Sequence, residues 1–231
     1  MSAPVKRRPY NSTLRAEQAA ATRTRILDSA GALFVEQGYP ATTLIQVAEA
    51  AGVAADTVLH IFGSKKGLLK AVLDVVVGGD EAQVPVLERP GPQAMRRETD
   101  QRRQVAMLAR GIAEQAERIQ PIDDILRSAA VVDAEAHALR DDLQLRQRRR
   151  AMTQVVSWVA DNGALKDRMT VEDAADIVWT ITSPEVHHLL RRQCGWDARR
   201  YEAWLQDTLE SALLPPASSR ERRTTRAKAS P

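Results

Sequence analysis

The chain has 231 residues, enough for one large or two modest domains with a buried core. Hydrophobic residues make up 44% of it and aromatic ones only 4%, and no stretch alternates convincingly between polar and apolar residues, which favours an all-α fold. The single cysteine, Cys194, excludes an internal disulfide and a cysteine-cluster metal site. The polar, basic start and the lack of a long apolar run lead us to expect a cytoplasmic protein without a signal peptide or a membrane span.

The formal charge of +3 is unevenly distributed along the chain. Residues 215–231 contain five basic residues against Glu221 alone, a net charge of +4, so the rest of the chain is close to neutral. We expect this segment to be a disordered basic tail. Residues 1–14 are predicted to form a disordered basic arm that follows a nucleic-acid backbone or minor groove, with a plain solvated terminus as the alternative.

A first helix is predicted from about Ala16 to Gln37. Its apolar residues Ile26, Ala30 and Phe34 recur on one face, and Gly38 follows it as a stop signal. This helix is long enough to support the shorter helices that come next.

Two short helices joined by a tight turn follow the first helix. Thr43 and Gln46 form a capping box at the start of a helix over residues 44–51, and Gly52 supplies the positive φ of a sharp turn. A second helix is predicted at about 55–61, with Val53, Val58 and Leu59 as its buried candidates. The pattern predicts a helix-turn-helix whose second helix enters a DNA major groove, and an ordinary αα-hairpin is the alternative.

The helix after this pair begins with positive charge. Ser64 is its predicted cap, and Lys65 and Lys66 stand in its first turn, where a helix dipole prefers acidic residues. Paired lysines there are explained by an external anion such as a DNA phosphate, which the amides and the ammonium groups would hold together.

The segment from Arg25 to Leu73 resembles the N-terminal DNA-binding domain of TetR-family transcriptional regulators. The resemblance lies in ILDSAGALFVEQGYPATT, VAEAAGV and HIFGSKKGLL, and it is free of gaps. It implies a helix-turn-helix domain over residues 15–63 and a connecting helix over 64–78, with Thr43 and Lys65 on phosphates and the second short helix reading bases. The predicted DNA-contacting residues are Thr42, Thr43, Gln46, Ala54, Ala55, Asp56, Thr57, His60 and Lys65.

This chain also departs from the family pattern. Leu59 stands where family members usually carry a phosphate-contacting tyrosine, and a leucine donates no hydrogen bond. Ala54, Ala55 and Asp56 replace the usual serine cap, a frequent lysine and a frequent glycine, and Ile45 stands where a basic residue is common. We therefore expect weaker nonspecific DNA binding, with Asp56, Thr57 and His60 setting specificity.

The prolines of residues 79–92 predict a linker to a second, all-helical domain over residues 93–214. Pro121 is expected to break the first apolar stripe of this domain. A longer helix is expected to end at Asn162, and Pro184 should interrupt a helix that Thr170 caps. The last helix should begin near Asp197 and end before Pro215.

The closing segment ADIVWTITSPEVHHLL and the helix after it resemble, more loosely, the last helices of TetR-family members, which pack against their copies as a four-helix dimer interface. The implied interface residues are Ile177, Ile181, Tyr201, Trp204, Leu205 and Leu209, and burial within the monomer is the alternative for Tyr201 and Trp204. Dimerisation is also expected because one short reading helix covers few base pairs, whereas two copies read a palindrome.

The resemblance further implies a pocket for an unknown small-molecule effector in the second domain. The candidate lining residues are Met107, His137, Met152, Trp158 and Trp179, and each of them is also explained as ordinary core. The scarcity of aromatic residues favours an apolar or neutral ligand.

No enzymatic site is predicted, and neither a metal nor another cofactor is expected. His187 and His188 are adjacent, so a helix would point them apart. Cys194 lies near these histidines but lacks a recognisable nucleophile elbow, an orienting acid and a glycine-rich loop. The sequence therefore predicts a homodimeric, ligand-responsive regulator that binds double-stranded DNA, most simply a repressor released from a palindromic operator. The alternatives are a helical interaction protein with a degenerate DNA-binding head and, less favoured, an activator or an enzyme.

Overall fold

The computed structural model describes residues 10–82 and 84–216, which form helices and no strands, in agreement with the all-α prediction. These residues group into two compact units. The head unit consists of residues 10–82 and 121–140, and the second unit consists of residues 84–120 and 141–216. Most of the predicted basic arm and tail, residues 1–9 and 217–231, lies outside the described residues.

Four helices occupy the first part of the head unit: α1 (Tyr10–Gln37), α2 (Leu44–Ala51), α3 (Ala55–Phe62) and α4 (Lys65–Gly78). The bounds of α2 agree with the prediction, and those of α3 and α4 differ from it by a residue. The prediction for α1 was wrong at its start, because the helix begins at Tyr10 and not near Ala16. Neither glycine nor proline follows Pro9 in this stretch, so nothing interrupts the helix, and residues 10–14 are helical instead of part of an arm.

The head core fixes the position of the two short helices. Helix α1 packs against α2 and α4, and α2 packs against α3. The fully buried side chains at this centre are Ile26, Phe34, Val47, Val58, Leu68 and Leu69. Each buried side chain of this size contributes about 1.5–3 kcal/mol, so α2 and α3 are held rigidly by their inner faces while their outer faces stay free.

The remaining helices are α5 (Pro90–Arg97), α6 (Gln101–Ala129), α7 (Ala134–Asp141), α8 (Arg149–Ala160), α9 (Val171–Ile181), α10 (Pro184–His188) and α11 (Ala198–Leu213). Short 3₁₀ turns lie at Val86–Glu88 and Lys166–Arg168, and π-helical turns at Asp142–Arg148 and Leu189–Gln193. The predicted linker of residues 79–92 is therefore partly helical. Thr170 caps α9 as predicted. The helix restarts at the predicted interruption with Ser183 as the cap of α10, and α11 begins at the predicted place with Asp197 as its cap.

Pro121 lies inside a continuous helix, so the predicted break at this residue was wrong. The proline ring is on an exposed side of α6, and packing of Leu108 before it and Leu126 after it holds both halves of the helix in place. The boundary between the two units falls at this proline. Residues 121–140 belong to the head unit, which corrects the predicted second domain of residues 93–214.

The second unit has its own hydrophobic core. Helix α8 packs along α9, and α11 packs against α9. The most deeply buried side chains are Val105, Ala109, Val156, Val159, Ala174, Val178, Leu205, Leu209 and Leu213. The interior of this unit is thus assembled from α6, α8, α9 and α11.

Among the described residues, no single helix combines the length and apolar character needed to cross a membrane. Only α2 and α3 taken together meet that test, and a bend of 110° separates them.

Candidate nucleic-acid interface

The start of α2 is fixed by the predicted capping box. The Gln46 amide donates to the Thr43 hydroxyl at 3.2 Å, and the Thr43 amide donates to the Gln46 side-chain oxygen at 2.8 Å. The Gln37 side chain adds a donor to the same Gln46 oxygen at 3.4 Å. Thr43 is exposed, so its side chain stands at the surface with its position determined by two helices.

Thr42 is not available for the DNA contact that the sequence predicted. It is only 1% exposed, and its hydroxyl donates to the Gly38 carbonyl at 2.8 Å. The Gln37 side chain donates to the same hydroxyl at 3.2 Å. Thr42 therefore closes the connection between α1 and α2, because a buried hydroxyl needs an internal partner.

The turn between α2 and α3 has the predicted geometry. Gly52 adopts φ 66° and ψ 41°, a left-handed conformation that glycine reaches at no steric cost. Helix α3 begins two residues beyond Val53 without a side-chain cap, because Ala54 has no hydrogen-bonding group. Ala54 is exposed and Ala55 is half-buried, so the uncapped helix start is open to a polar partner.

Three exposed side chains form one stripe along α3. Asp56, Leu59 and His60 face outward at the spacing of a single helix face, and Val58 fills the core from the other side. We call these three residues the α3 stripe. The predicted burial of Leu59 was wrong, since 49% of this residue is exposed. Thr57 is half-buried beside the stripe.

The start of α4 carries the predicted cap and lysines. The Ser64 hydroxyl accepts from the Gly67 amide at 3.0 Å. The Lys65 ammonium donates to the Pro40 carbonyl at 3.2 Å and lies 4.4 Å from the centre of the Tyr39 ring. Burial lowers the pKa of Lys65, and the nearby Asp133 carboxylate partly offsets that effect. Lys65 is thus a positive charge held in one place beside the exposed end of α3.

Gly67 is a residue of this site that sequence analysis missed. A Cβ atom on Gly67 would lie 2.1 Å from the Phe62 carbonyl oxygen, so the α3–α4 turn leaves no room for a side chain. A glycine three residues after a capping serine was the available signal in the sequence. Gly67 lets α4 begin immediately behind the end of α3.

The arrangement can perform two chemical tasks that nucleic-acid recognition requires. Lys65 offers a positive charge to an anionic backbone, and Thr43 offers an exposed hydroxyl that in this structure donates to the Gln46 side-chain oxygen at 3.0 Å. The α3 stripe offers an acceptor, an apolar surface and an imidazole to base edges. Two short helices at this angle, with an exposed second helix and a lysine beside it, define a helix-turn-helix protein.

The family follows from comparison with known proteins. Residues 26–72 match the family model described as bacterial regulatory proteins, tetR family. The predicted resemblance of this segment to the TetR-family DNA-binding domain is confirmed.

Two curated proteins similar to part of the chain are named as a transcriptional regulator and a transcriptional repressor. An uncharacterised HTH-type transcriptional regulator of Bacillus subtilis, YvkB, is 46% identical over 52 residues, which are 22% of this chain and 28% of YvkB. The HTH-type transcriptional repressor ComR of Escherichia coli is also 46% identical over 52 residues, 22% of this chain and 25% of ComR. These matches span only about a quarter of each curated relative.

A solved structure extends the fold comparison beyond the head. NalD of Pseudomonas aeruginosa, the secondary repressor of the MexAB-OprM multidrug efflux pump, matches 86% of this chain and all of its own length. The TM-score is 0.63 at 21% identity, so the likeness shows a shared fold.

The predicted ligand-lining residues are not brought together as one set. Met152 and Trp158 are buried in the core of the second unit, and Trp179 is half-buried with its indole N–H donating to the Gln144 carbonyl at 2.9 Å. Met107 is exposed. His137 is exposed and belongs to the head unit, so its predicted place in the lining was wrong.

The predicted dimer residues divide into two groups. Tyr201, Leu205 and Leu209 are at most 1% exposed within their own chain, so they form its core and present no surface to a second copy. Ile177, Ile181 and Trp204 are half-buried. The periodicity of α11 showed which side is apolar but not which protein surface that side faces.

A buried polar cluster in the second unit was also missed. His187 is 2% exposed, and its Nε2 lies 3.1 Å from a Glu117 carboxylate oxygen. Arg191 donates to both oxygens of the same carboxylate, at 2.5 and 3.1 Å. Burial lowers the pKa of His187 against the opposing effect of Glu117, and the Arg191 hydrogen bond lowers the pKa of Glu117. Seventy residues separate the histidine from the glutamate, so no local pattern announces the pair.

Tyr201 lies against this cluster. Its ring centre is 4.9 Å from that of His187, in an edge-to-face arrangement. Its hydroxyl is buried without a hydrogen-bond partner among the described residues, and burial raises the pKa of Tyr201 to about 12. The phenol is therefore neutral, and the cluster serves to hold α6, α10 and α11 together.

Proposed function

We propose that the chain is a DNA-binding transcriptional regulator that acts as a homodimer on a palindromic operator. The observation that carries the proposal is the α3 stripe, an outward face of a rigidly seated helix next to the exposed Thr43 and the fixed charge of Lys65. A regulator of this kind works on chromosomal DNA and hence in the cytoplasm.

The contact types follow from side-chain chemistry. Thr43 and Lys65 bind phosphates, which position the head but read no sequence. Asp56 accepts from the amino group of cytosine or adenine, and His60 donates or accepts according to its tautomer. Gln46, Ala54 and Ala55 border these residues and remain proposed DNA contacts. Thr57 remains a proposed specificity residue.

Dimerisation is proposed because α3 has only eight residues and covers few base pairs. Two heads related by a two-fold axis read half-sites about 10 bp apart or somewhat more. Ile177, Ile181 and Trp204 support the proposal, because they are large apolar side chains that their own chain leaves partly exposed.

Repression relieved by a small molecule is the regulatory part of the proposal. The repressor named ComR among the relatives supports it, and a dimer seated on a promoter excludes polymerase. An effector would bind the second unit in a conformation that the operator-bound dimer does not adopt. The difference between its affinities for the two conformations would set the change in DNA binding. Met152, Trp158 and Trp179 make an apolar or neutral effector the best match.

The test is selection of genomic DNA fragments by the purified full chain at near-physiological salt, with sequencing of the retained DNA. We expect a discrete palindrome, and light scattering should give twice the chain mass of 25.5 kDa. Lys65→Ala should weaken binding to all sequences alike and reduce the salt slope by about 1, because one phosphate contact is lost. Arg118→Ala, at an exposed position of the second unit, is the matched control and should leave both quantities unchanged.

The second candidate function is a helical interaction protein with a degenerate head. The exposed apolar residues Ile45 and Leu59 favour it, since they replace a basic residue and a phosphate-binding tyrosine of the family pattern. A folded dimer that retains no DNA selectively would support this candidate and contradict the regulator.

A further inference from the structure

Leu59 is an apolar residue in the middle of an otherwise polar exposed face. It lies between Asp56 and His60 on the α3 stripe and is 49% exposed, while the adjacent Val58 is fully buried. The head core is complete without Leu59, so packing within the described head does not explain its outward position.

The chemistry of Leu59 limits what it can recognise. A leucine side chain has no donor or acceptor, and so it makes no hydrogen bond to a phosphate or to a base. In the major groove, the base edges offer hydrogen-bonding groups and a single large apolar group, the C5-methyl of thymine. An exposed leucine on a groove-facing helix thus stabilises the complex when it contacts a thymine methyl group. It destabilises the complex when it removes water from the polar edge of another base.

We infer that Leu59 is a specificity-determining residue that contacts the C5-methyl group of one thymine in each operator half-site. This inference rests on the proposed DNA-binding function. Leu59 therefore adds nothing to the affinity for the DNA backbone and acts only in the selection of a base.

The side chains next to Leu59 also favour a contact with thymine. An A·T pair presents an adenine amino group and a thymine methyl group on one groove edge. Asp56, one helical turn before Leu59, accepts from such an amino group, so the two side chains together favour a step that contains A·T pairs. A cytosine amino group would satisfy Asp56 equally, but only thymine satisfies Leu59.

Replacing thymine by uracil tests the inference at the level of one methyl group. Uracil keeps the base pair and every hydrogen-bonding group of thymine and removes only the methyl. Each thymine of the selected operator is replaced in turn, and the affinities of the full-length wild type, Leu59→Ala and Ile45→Ala are compared. Ile45 is the matched control, since it is an exposed apolar residue on α2 instead of the reading helix.

The wild type should lose about fourfold in affinity at one thymine per half-site, the effect of leaving one methyl-sized group unburied. Leu59→Ala should bind the thymine and uracil operators equally, while Ile45→Ala should keep the wild-type difference. If Leu59 packed against a deoxyribose instead, replacement of thymine by uracil would leave the affinity unchanged.

Two results would overturn the inference alone: selective operator binding without any uracil effect, or a uracil effect that persists in Leu59→Ala. A chain that selects no DNA sequence overturns the proposed function as well, so the two failures are distinguishable.

Discussion

The head unit and the second unit each place an acidic residue close to a histidine, but with different degrees of exposure. In the head, Asp56 and His60 lie four residues apart on α3, and both are exposed. In the second unit, Glu117 and His187 come from distant parts of the chain and meet at 3.1 Å, with the imidazole 2% exposed. An acidic residue and a histidine are therefore exposed to solvent in one unit, whereas in the other unit they link separate helices of the fold.

The difference has an energetic origin. Exposed charged and polar side chains such as Asp56 and His60 contribute little to the stability of the fold, so they are free to exchange water for a ligand. A buried imidazole must be hydrogen-bonded, and Glu117 in turn is held by Arg191. Exposure together with residue type therefore decides the role of such a pair.

The largest expected effect is in the second unit. Leu205→Ala removes a fully buried side chain and should lower the free energy of unfolding by about 3 kcal/mol. Trp204→Ala, at a half-buried neighbour that packs against the same core, should lower it less and should also weaken the proposed dimer. Urea unfolding at two protein concentrations checks both variants, and a Leu205→Ala effect that vanished at high concentration would make Leu205 an interface residue after all.

Two glycines provide a matched pair across the units. Gly67→Ala should destabilise the head by about 1–3 kcal/mol, because its Cβ would meet the Phe62 carbonyl at 2.1 Å. Gly111→Ala, in the middle of α6 with nothing within 4 Å of its Cβ, should stabilise the chain by about 0.5–1 kcal/mol. Thermal unfolding measures both, and equal effects would contradict the close α3–α4 turn.

Acid should weaken the second unit through His187. The folded-state pKa of His187 is lowered, so the unfolded chain takes up the proton first. Stability is then fully present above about pH 6.5 and falls as the pH drops below that value, by at most about 1.4 kcal/mol per pH unit. The lowered pKa of Glu117 adds a second loss below about pH 4.5.

Urea unfolding at pH 7.5 and 5.5 tests this slope. His187→Gln should flatten it between these two pH values, and His60→Gln, on the exposed α3 stripe, is the control variant. A slope that survives in His187→Gln would assign the acid sensitivity to another group.

The smallest expected effect separates the structural role of Thr43 from its proposed DNA role. Thr43→Ala removes the cap of α2 and should cost about 1 kcal/mol of stability, whereas Thr43→Ser keeps the hydroxyl and the cap. Both stability and operator affinity should therefore be retained in Thr43→Ser. Loss of affinity in that variant would show that the threonine methyl group, and not the hydroxyl, matters to DNA.

The helix-turn-helix was predictable because its signals are local. The Thr43–Gln46 capping box, the left-handed Gly52 and the Ser64 cap each act within a few residues, and all of them have the predicted geometry. Pro121 shows the limit of local signals. A proline disfavours a helix interior, but packing on both sides overrides that preference in α6.

The sequence by itself determined the all-α class, the family of the head, the short helices α2 and α3, and the caps, since propensity and hydrogen bonding within one turn decide them. The tertiary structure alone decided which apolar or polar side chains face outward. Leu59 is exposed although it is apolar, and Thr42 is buried although it is polar. Tyr201, a candidate for the dimer interface, is buried in the core of its own chain. Periodicity gives the faces of a helix, but burial depends on which neighbour covers each face, and that neighbour is supplied by residues far away in the chain.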